Sequence, residues 1–164
     1  PFLKDFYRDM KGYAFQSQLW FLGQKFRMHQ ALDRHPGAII QDRTVWEDAE
    51  IFARGLHRSR FISKRQWSIY ETFYEGVADA IRPPDVIFYL HAPVREIRRR
   101  IRQRGRPEEQ GISARYLRNL NTQYEAWMDR WDKSPVRRID GSQLRYLDDL
   151  WDRQRMLEMV AEYL

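Results

Sequence analysis

The sequence predicts a three-layer α/β/α domain built on a parallel sheet, and three observations carry that reading. Val86-Ile87-Phe88-Tyr89-Leu90 is apolar at every position and rich in β-formers, as a parallel strand covered on both faces requires. Stretches with helical periodicity flank this run and recur along the whole chain. Two further short runs, Gly37–Gln41 and Pro135–Asp140, alternate with the helices as βαβ units do. Three strands are few for this architecture, because a small sheet leaves exposed edges and poorly covered helices.

Taken in order, residues 1–10 form a short helix with Phe2, Leu3, Phe6 and Tyr7 on its apolar side. A long helix follows over Tyr13–Gln30, carried by Ala14, Leu19, Phe21, Leu22, Phe26 and Met28. Gln18 lies among these apolar residues, which reads either as a helix edge in water or as a polar group held for a ligand. Gly37–Gln41 reads as a buried strand ending at Asp42-Arg43-Thr44, and open α/β sheets place ligands at such strand ends. The plainer reading there is a helix cap, Asp42 or Thr44, beside a surface arginine. Helical material resumes through Trp46, Ile51, Phe52 and Leu56, then again over Ser63–Ile81, until Arg82-Pro83-Pro84-Asp85 breaks it. Pro93 opens an arginine-rich helix, with Val94, Ile97 and Ile101 as its buried stripe. Ser113–Trp131 is helical, Pro135–Asp140 is a strand weakened by Arg137 and Arg138, and Tyr146–Leu164 is a final helix.

A chain of 164 residues is expected to make one domain, and its 43% apolar and 15% aromatic content supports a packed core. A formal charge of +6 points to an anionic partner: nucleotide, nucleic acid or acidic membrane. The absence of cysteine excludes disulfides and thiolate chemistry and fits a reducing, cytoplasmic setting. No apolar run reaches membrane-spanning length, and no signal peptide is visible, so no membrane association is expected. The chain opens on Pro1-Phe2-Leu3 rather than Met, and is expected to be a fragment lacking an N-terminal segment.

Arginine density peaks over residues 98–106 and runs into a segment broken by Gly105, Pro107 and Gly111 and answered by Glu108 and Glu109. Guanidinium groups match phosphate oxygens two at a time, so the pattern suits a lid over a polyphosphate, spanning about residues 100–112. A solvated charged helix or a nucleic-acid patch fits the cluster alone as well. No glycine belongs to a G-x-x-x-x-G-K-[ST] phosphate loop or a G-x-G-x-x-G fingerprint. His29, His35, His57 and His91 show neither metal-ligand spacing nor a triad, and Asp148, Asp149 and Asp152 read as a charged helix face.

These pieces together resemble the deoxynucleoside kinase family, in particular its bacterial deoxyadenosine/deoxyguanosine kinase branch. The matching segments are residues 1–7, Ala14–Leu22, Gln41–Asp48, Pro83–Asp85 with Tyr89-Leu90, and Arg104-Gly105-Arg106-Pro107-Glu108-Glu109-Gln110-Gly111-Ile112 with Tyr116-Leu117. The resemblance implies a P-loop-kinase-like fold. It also implies transfer of the γ-phosphoryl group of ATP, with Mg2+, to the 5′-hydroxyl of a deoxynucleoside, with a lean toward purines and a place in nucleotide salvage. Carried over by position, Gln18 pairs with the base edge, Asp48 accepts from a base N–H, and Phe52 stacks on the ring. Tyr7 and Glu109 hold the sugar 3′-hydroxyl. Arg43 sits at the 5′-hydroxyl, with Asp42 beside it near the metal, and Arg100, Arg104 and Arg106 reach the ATP, the last two neutralising developing charge.

The sequence departs from the family pattern in named ways. Its phosphate loop and general-base glutamate have no counterpart here, so the 164 residues alone are expected to be inactive. Lys25 stands where the family usually has an arginine at the base site, and Ser17 where some relatives have an aromatic. A homodimer through helix packing is what the resemblance implies. A thymidylate-type kinase is the nearest competitor, but Tyr7 and Glu109 at the acceptor do not suit a phosphorylated substrate. A basic nucleic-acid-binding module is the rival from another class. It is opposed by aromatics that fall on core stripes and by Glu108-Glu109 inside the patch, so no nucleic-acid partner is expected.

Overall fold

Asp9 ends one helix and starts the next: it closes α1 (Leu3–Arg8) and caps α2 (Met10–Leu32) by accepting from the Gly12 amide at 2.9 Å. The computed structural model describes residues 2–106, 109–142, 144 and 149–163, with the backbone alone for Leu3, Lys4 and Tyr7. They fall into two compact units, Pro1–Arg82 and Pro83–Leu164.

The first unit is all helical among its described residues. Helix α2 buries Ala14, Gln18 and Leu22 at four-residue spacing, with Ser17 and His29 beside that line. The expected strand at Gly37–Gln41 is absent: the segment is irregular, and Ile39 and Ile40 are 41% and 79% exposed. A strand needs a neighbour to complete its ladder, and no described strand of this unit offers one. Thr44 Oγ1 accepts from the Glu47 amide at 3.4 Å and caps α3 (Val45–Glu47). The run continues through a π-helical segment (Asp48–Ala53) into α4 (Arg54–Arg58). Helix α5 (Lys64–Asp79) opens on a capping box, Ser63 with Gln66. Trp46, Ile51, Ile62 and Tyr70 are almost fully buried and form the centre of this unit.

The second unit holds the two described strands, β1 (Ile87–His91) and β2 (Val136–Asp140), parallel and in register from Ile87 opposite Val136 to His91 opposite Asp140. Arg137 and Arg138 do not prevent β2 from forming. The Arg138 guanidinium pairs with Glu125 and Asp129 over the Tyr89 ring, while Arg137 lies on Tyr163. Gly141 closes β2 by donating its amide to the His91 carbonyl at 2.8 Å; a Cβ there would sit 3.2 Å from that oxygen. Helix α6 (Val94–Arg104) ends at Gly105, whose φ of +71° makes it the left-handed cap that glycine favours. The stripe expected on α6 is present but thinner: Val94, Ile97 and Ile101 are half-buried. Helix α7 (Ala114–Arg130) buries Leu117, Trp127 and Met128. Helix α8 (Leu150–Ala161) follows the Asp149 cap, while the Tyr146–Asp148 start expected for it lies outside the described residues.

Candidate functional site

In the first unit the chain turns sharply at Arg43, a non-glycine residue with φ +64°. Lys25 holds this turn from α2: its Nζ donates to the carbonyl of Arg43 at 2.9 Å and of Asp42 at 3.3 Å. Gln41 Nε2 donates to the same Arg43 carbonyl at 2.9 Å and lies 3.4 Å from His29 Nε2. Thus fixed, the exposed Arg43 guanidinium stands over the Phe52 ring, 5.1 Å from its centroid, with Glu47 Oε1 4.0 Å away. Phe52 and Asp48 are presented by the π-helical segment, a distortion frequent at functional sites because it re-aims side chains within one helix.

Asp48 is buried at the head of that segment. Burial pushes its carboxyl above the usual range, while the charges of Lys25 and Arg43 pull it down. Gln18, 7% exposed, lies on the buried face of α2, and α2 packs against the π-helical segment. Neither the Gln18 amide nor the Asp48 carboxyl has a hydrogen-bond partner among the described residues. Their polar atoms are not among those sealed from solvent without a partner, so both groups remain open to water or to a ligand. Buried on that face, Gln18 is not the solvated helix-edge residue that its sequence setting allowed. The structure brings together Lys25, Asp42, Arg43, Asp48 and Phe52, and places Gln18 on the adjoining helix. The side chain of Tyr7 lies outside the described residues.

In the second unit Arg104 Nε donates to Glu109 Oε2 at 3.0 Å, and Arg106 reaches the other oxygen of Glu109 at 3.4 Å. One carboxylate therefore bridges both arginines and leaves a net positive charge on the cluster. Arg100 is engaged differently: it donates to Glu96 at 2.8 Å and to the carbonyls of Gly141 and Leu144, so it ties α6 to the end of β2. Arg99 and Arg100 together hold the half-buried Glu96 carboxyl down to a pKa of about 2. Pro107 and Glu108 lie outside the described residues. Asp42 carries an exposed carboxylate, and no group of three metal-ligating side chains occurs among the described residues.

Sequence reasoning missed two parts of this geometry. Tyr70 was legible only as a core aromatic, yet its hydroxyl is buried without a partner; burial, then Asp48, raises its pKa. His29 was read as solvated or structural. It is buried edge-on to Trp46 at 5.8 Å, in line with Gln41 and the Arg43 turn. The signal available was its position seven residues after Leu22, on the α2 face that starts at Ala14.

The described residues form a helix-rich α/β architecture with two parallel strands and clustered arginines. A solved deoxyadenosine kinase from M. mycoides with bound dCTP superposes with a TM-score of 0.77, at 25% identity over all of this chain and 81% of that one. The family model for deoxynucleoside kinases matches residues 1–164. The deoxyadenosine/deoxycytidine kinase of Bacillus subtilis is 28% identical over 166 residues, spanning all of this chain and 76% of that protein. The deoxyadenosine kinase of Dictyostelium discoideum is 32% identical over 164 residues, and the match spans 64% of its length. The chain belongs to the deoxynucleoside kinase family, and with it to the ATP-dependent phosphotransferases. Among the described residues no helix is long and apolar enough to cross a membrane.

Proposed function

We propose that this protein transfers the γ-phosphate of ATP to the 5′-hydroxyl of a purine deoxynucleoside in nucleotide salvage. The observation that carries the reading is that Gln18 and Asp48, on two packed helical segments, hold no side-chain hydrogen bond to the described residues and flank an arginine clamped in a left-handed turn. An amide that donates and accepts, with a carboxyl that accepts, suits the edge of a nucleobase better than any apolar ligand. Phe52 stacks on the base, and Lys25 supports the site by holding the Arg43 turn rather than by a forked contact of its own. Tyr7 and Glu109 take the sugar 3′-hydroxyl. The purine lean rests on relatives named as deoxyadenosine and deoxyguanosine kinases.

In the transfer, the 5′-oxygen forms a bond to the γ-phosphorus as the bond from that phosphorus to the β-bridging oxygen breaks. Arg43 orients the hydroxyl and the transferring group, while Arg104 and Arg106 leave Glu109 to neutralise charge on the phosphates, and Arg100 contacts the ATP. Asp42 fits Mg2+, because that ion takes one or two carboxylates and keeps water and phosphate oxygens for its other positions. Bound there, Mg2+ would offset phosphate charge. The family's phosphate loop and its base for the hydroxyl proton have no counterpart in these 164 residues, so the activity is expected of a chain that carries both. On this reading the protein is a cytoplasmic homodimer with no nucleic-acid partner, and the 164 residues with their lid at about 100–112 are part of a single kinase domain. A thymidylate-type reading is disfavoured because the Glu109 carboxylate would repel a second phosphate.

Nucleoside-dependent ATP consumption by the full-length protein, screened over the four common deoxynucleosides, tests the proposal. R104Q is expected to lower kcat on the order of a hundredfold or more with little change in nucleoside affinity. Equal losses in both would show that Arg104 only holds substrate.

A further inference from the structure

The arginines of α6 divide into two sets. Arg99, Arg100 and Arg104 are bound to Glu96, Gln103, Glu109 and the end of β2. Arg95, Arg98 and Arg102 occupy the i, i+3, i+7 face and make no ion pair or side-chain hydrogen bond with any described residue. Across from them, Arg118 of α7 is equally unpaired. These four line one cavity of about 250 Å³, whose remaining walls are Val94 and Ala114. Among the described residues no carboxylate lines it, although Glu96 is on the same helix and Glu109 shares an adjoining pocket with Arg98 and Arg102.

We infer that this α6–α7 cavity is a binding site for a short oligophosphate, distinct from the lid arginines Arg100, Arg104 and Arg106. The four arginines are exposed and their stems line one open groove, so their positive fields add there and favour an anion carrying several charges. Guanidinium forks bind phosphate oxygens in pairs, so four of them suit two or three linked phosphates. The space is below the roughly 300–1,000 Å³ of pockets that enclose a whole drug-sized ligand. It therefore fits a phosphate chain rather than a nucleoside. No aromatic ring lines it, so it lacks the stacking platform of a single-strand nucleic-acid site. The phosphate chain can come from inorganic polyphosphate or from the tail of a nucleoside triphosphate.

Calorimetry with inorganic tripolyphosphate at fixed ionic strength, on the full-length protein, tests the assignment. In R104Q/R106Q, one saturable equivalent is expected to remain beyond any held by the phosphate loop of the full-length chain. Adding R98Q/R102Q should weaken it about tenfold or more, the loss expected when charge-assisted hydrogen bonds are removed. R98K/R102K, which keeps charge and fold, should recover part of the affinity. Within the same background, ATP binding no tighter than tripolyphosphate identifies the phosphate chain as the whole determinant; tighter ATP identifies a nucleotide tail. The proposal is overturned if no saturable binding survives R104Q/R106Q, or if R98Q/R102Q leaves affinity unchanged with the thermal midpoint intact. Displacement of tripolyphosphate by generic duplex DNA at equal phosphate concentration would overturn it in favour of a nucleic-acid face.

Discussion

Arg43 shows how one residue can serve the site at the expense of the fold. With φ at +64° its backbone is in the left-handed region, which costs a non-glycine residue about 1–2 kcal/mol. Its guanidinium is exposed, and its neighbours Glu47 and Phe52 offer weak contacts at 4.0 and 5.1 Å. R43G is therefore expected to leave stability unchanged or raise it by up to about 1 kcal/mol in chemical denaturation, while removing kinase activity of the full-length protein. A substantial loss of stability would show that those contacts, not catalysis, hold Arg43 in place. His29 is the other residue whose chemistry its sequence setting concealed. Burial, reinforced by Lys25 and opposed by Asp33, lowers its pKa below the ordinary value of about 6.5. Below that value the unfolded chain binds the proton more readily, so the stabilising contribution is present above it and fades as pH falls through the folded value. The thermal midpoint should drop between pH 6.5 and 5, and H29Q should flatten that slope; an unchanged slope would assign it to other groups.

At the scale of elements, the decisive contact is the reach of Lys25 from α2 to the turn that precedes α3. It fastens two backbone carbonyls and so fixes where Arg43 and the π-helical segment begin. K25M leaves those carbonyls to water and is expected to lower kcat/KM about tenfold, as losing a charged hydrogen bond does, with a smaller change in the thermal midpoint. A loss confined to base selectivity would instead place Lys25 on the nucleobase. The helices were legible to within a few residues because their apolar spacing and caps are local: Thr44, Ser63 and Ser113 each cap as their sequence positions imply, whereas Asp149, read as part of a helix face, proves to be the cap of α8. The strand expected at Gly37–Gln41 was not realised because ladder pairing is non-local, and apolar character cannot supply a partner. The π-helical bulge was likewise invisible, since its i+5 hydrogen bonds leave no period in the sequence.

For the whole molecule, the +6 charge acts through where its arginines are tied and where they are free. Glu109 and Glu96 already neutralise several of them, so the remaining field steers anions more than it holds them. The KM for ATP is expected to rise several-fold between about 0.05 and 0.5 M salt, as the Debye length falls through roughly 10 Å, with kcat nearly constant. A salt-independent KM would mean that contact, not field, governs encounter.

Helical periodicity was enough to determine the helical order, and the resemblance carried by the D-R-T and R-G-R-x-x-E-Q-G-I segments pointed to the kinase class, because those signals are carried by neighbours along the chain. Tertiary structure alone decided that Gln18 and Asp48 are buried, that Lys25 clamps a left-handed arginine, and that α6 splits its arginines into paired and unpaired sets. Burial, strain and charge pairing depend on which groups distant in sequence arrive within a few ångströms of one another, and only the folded chain brings them there.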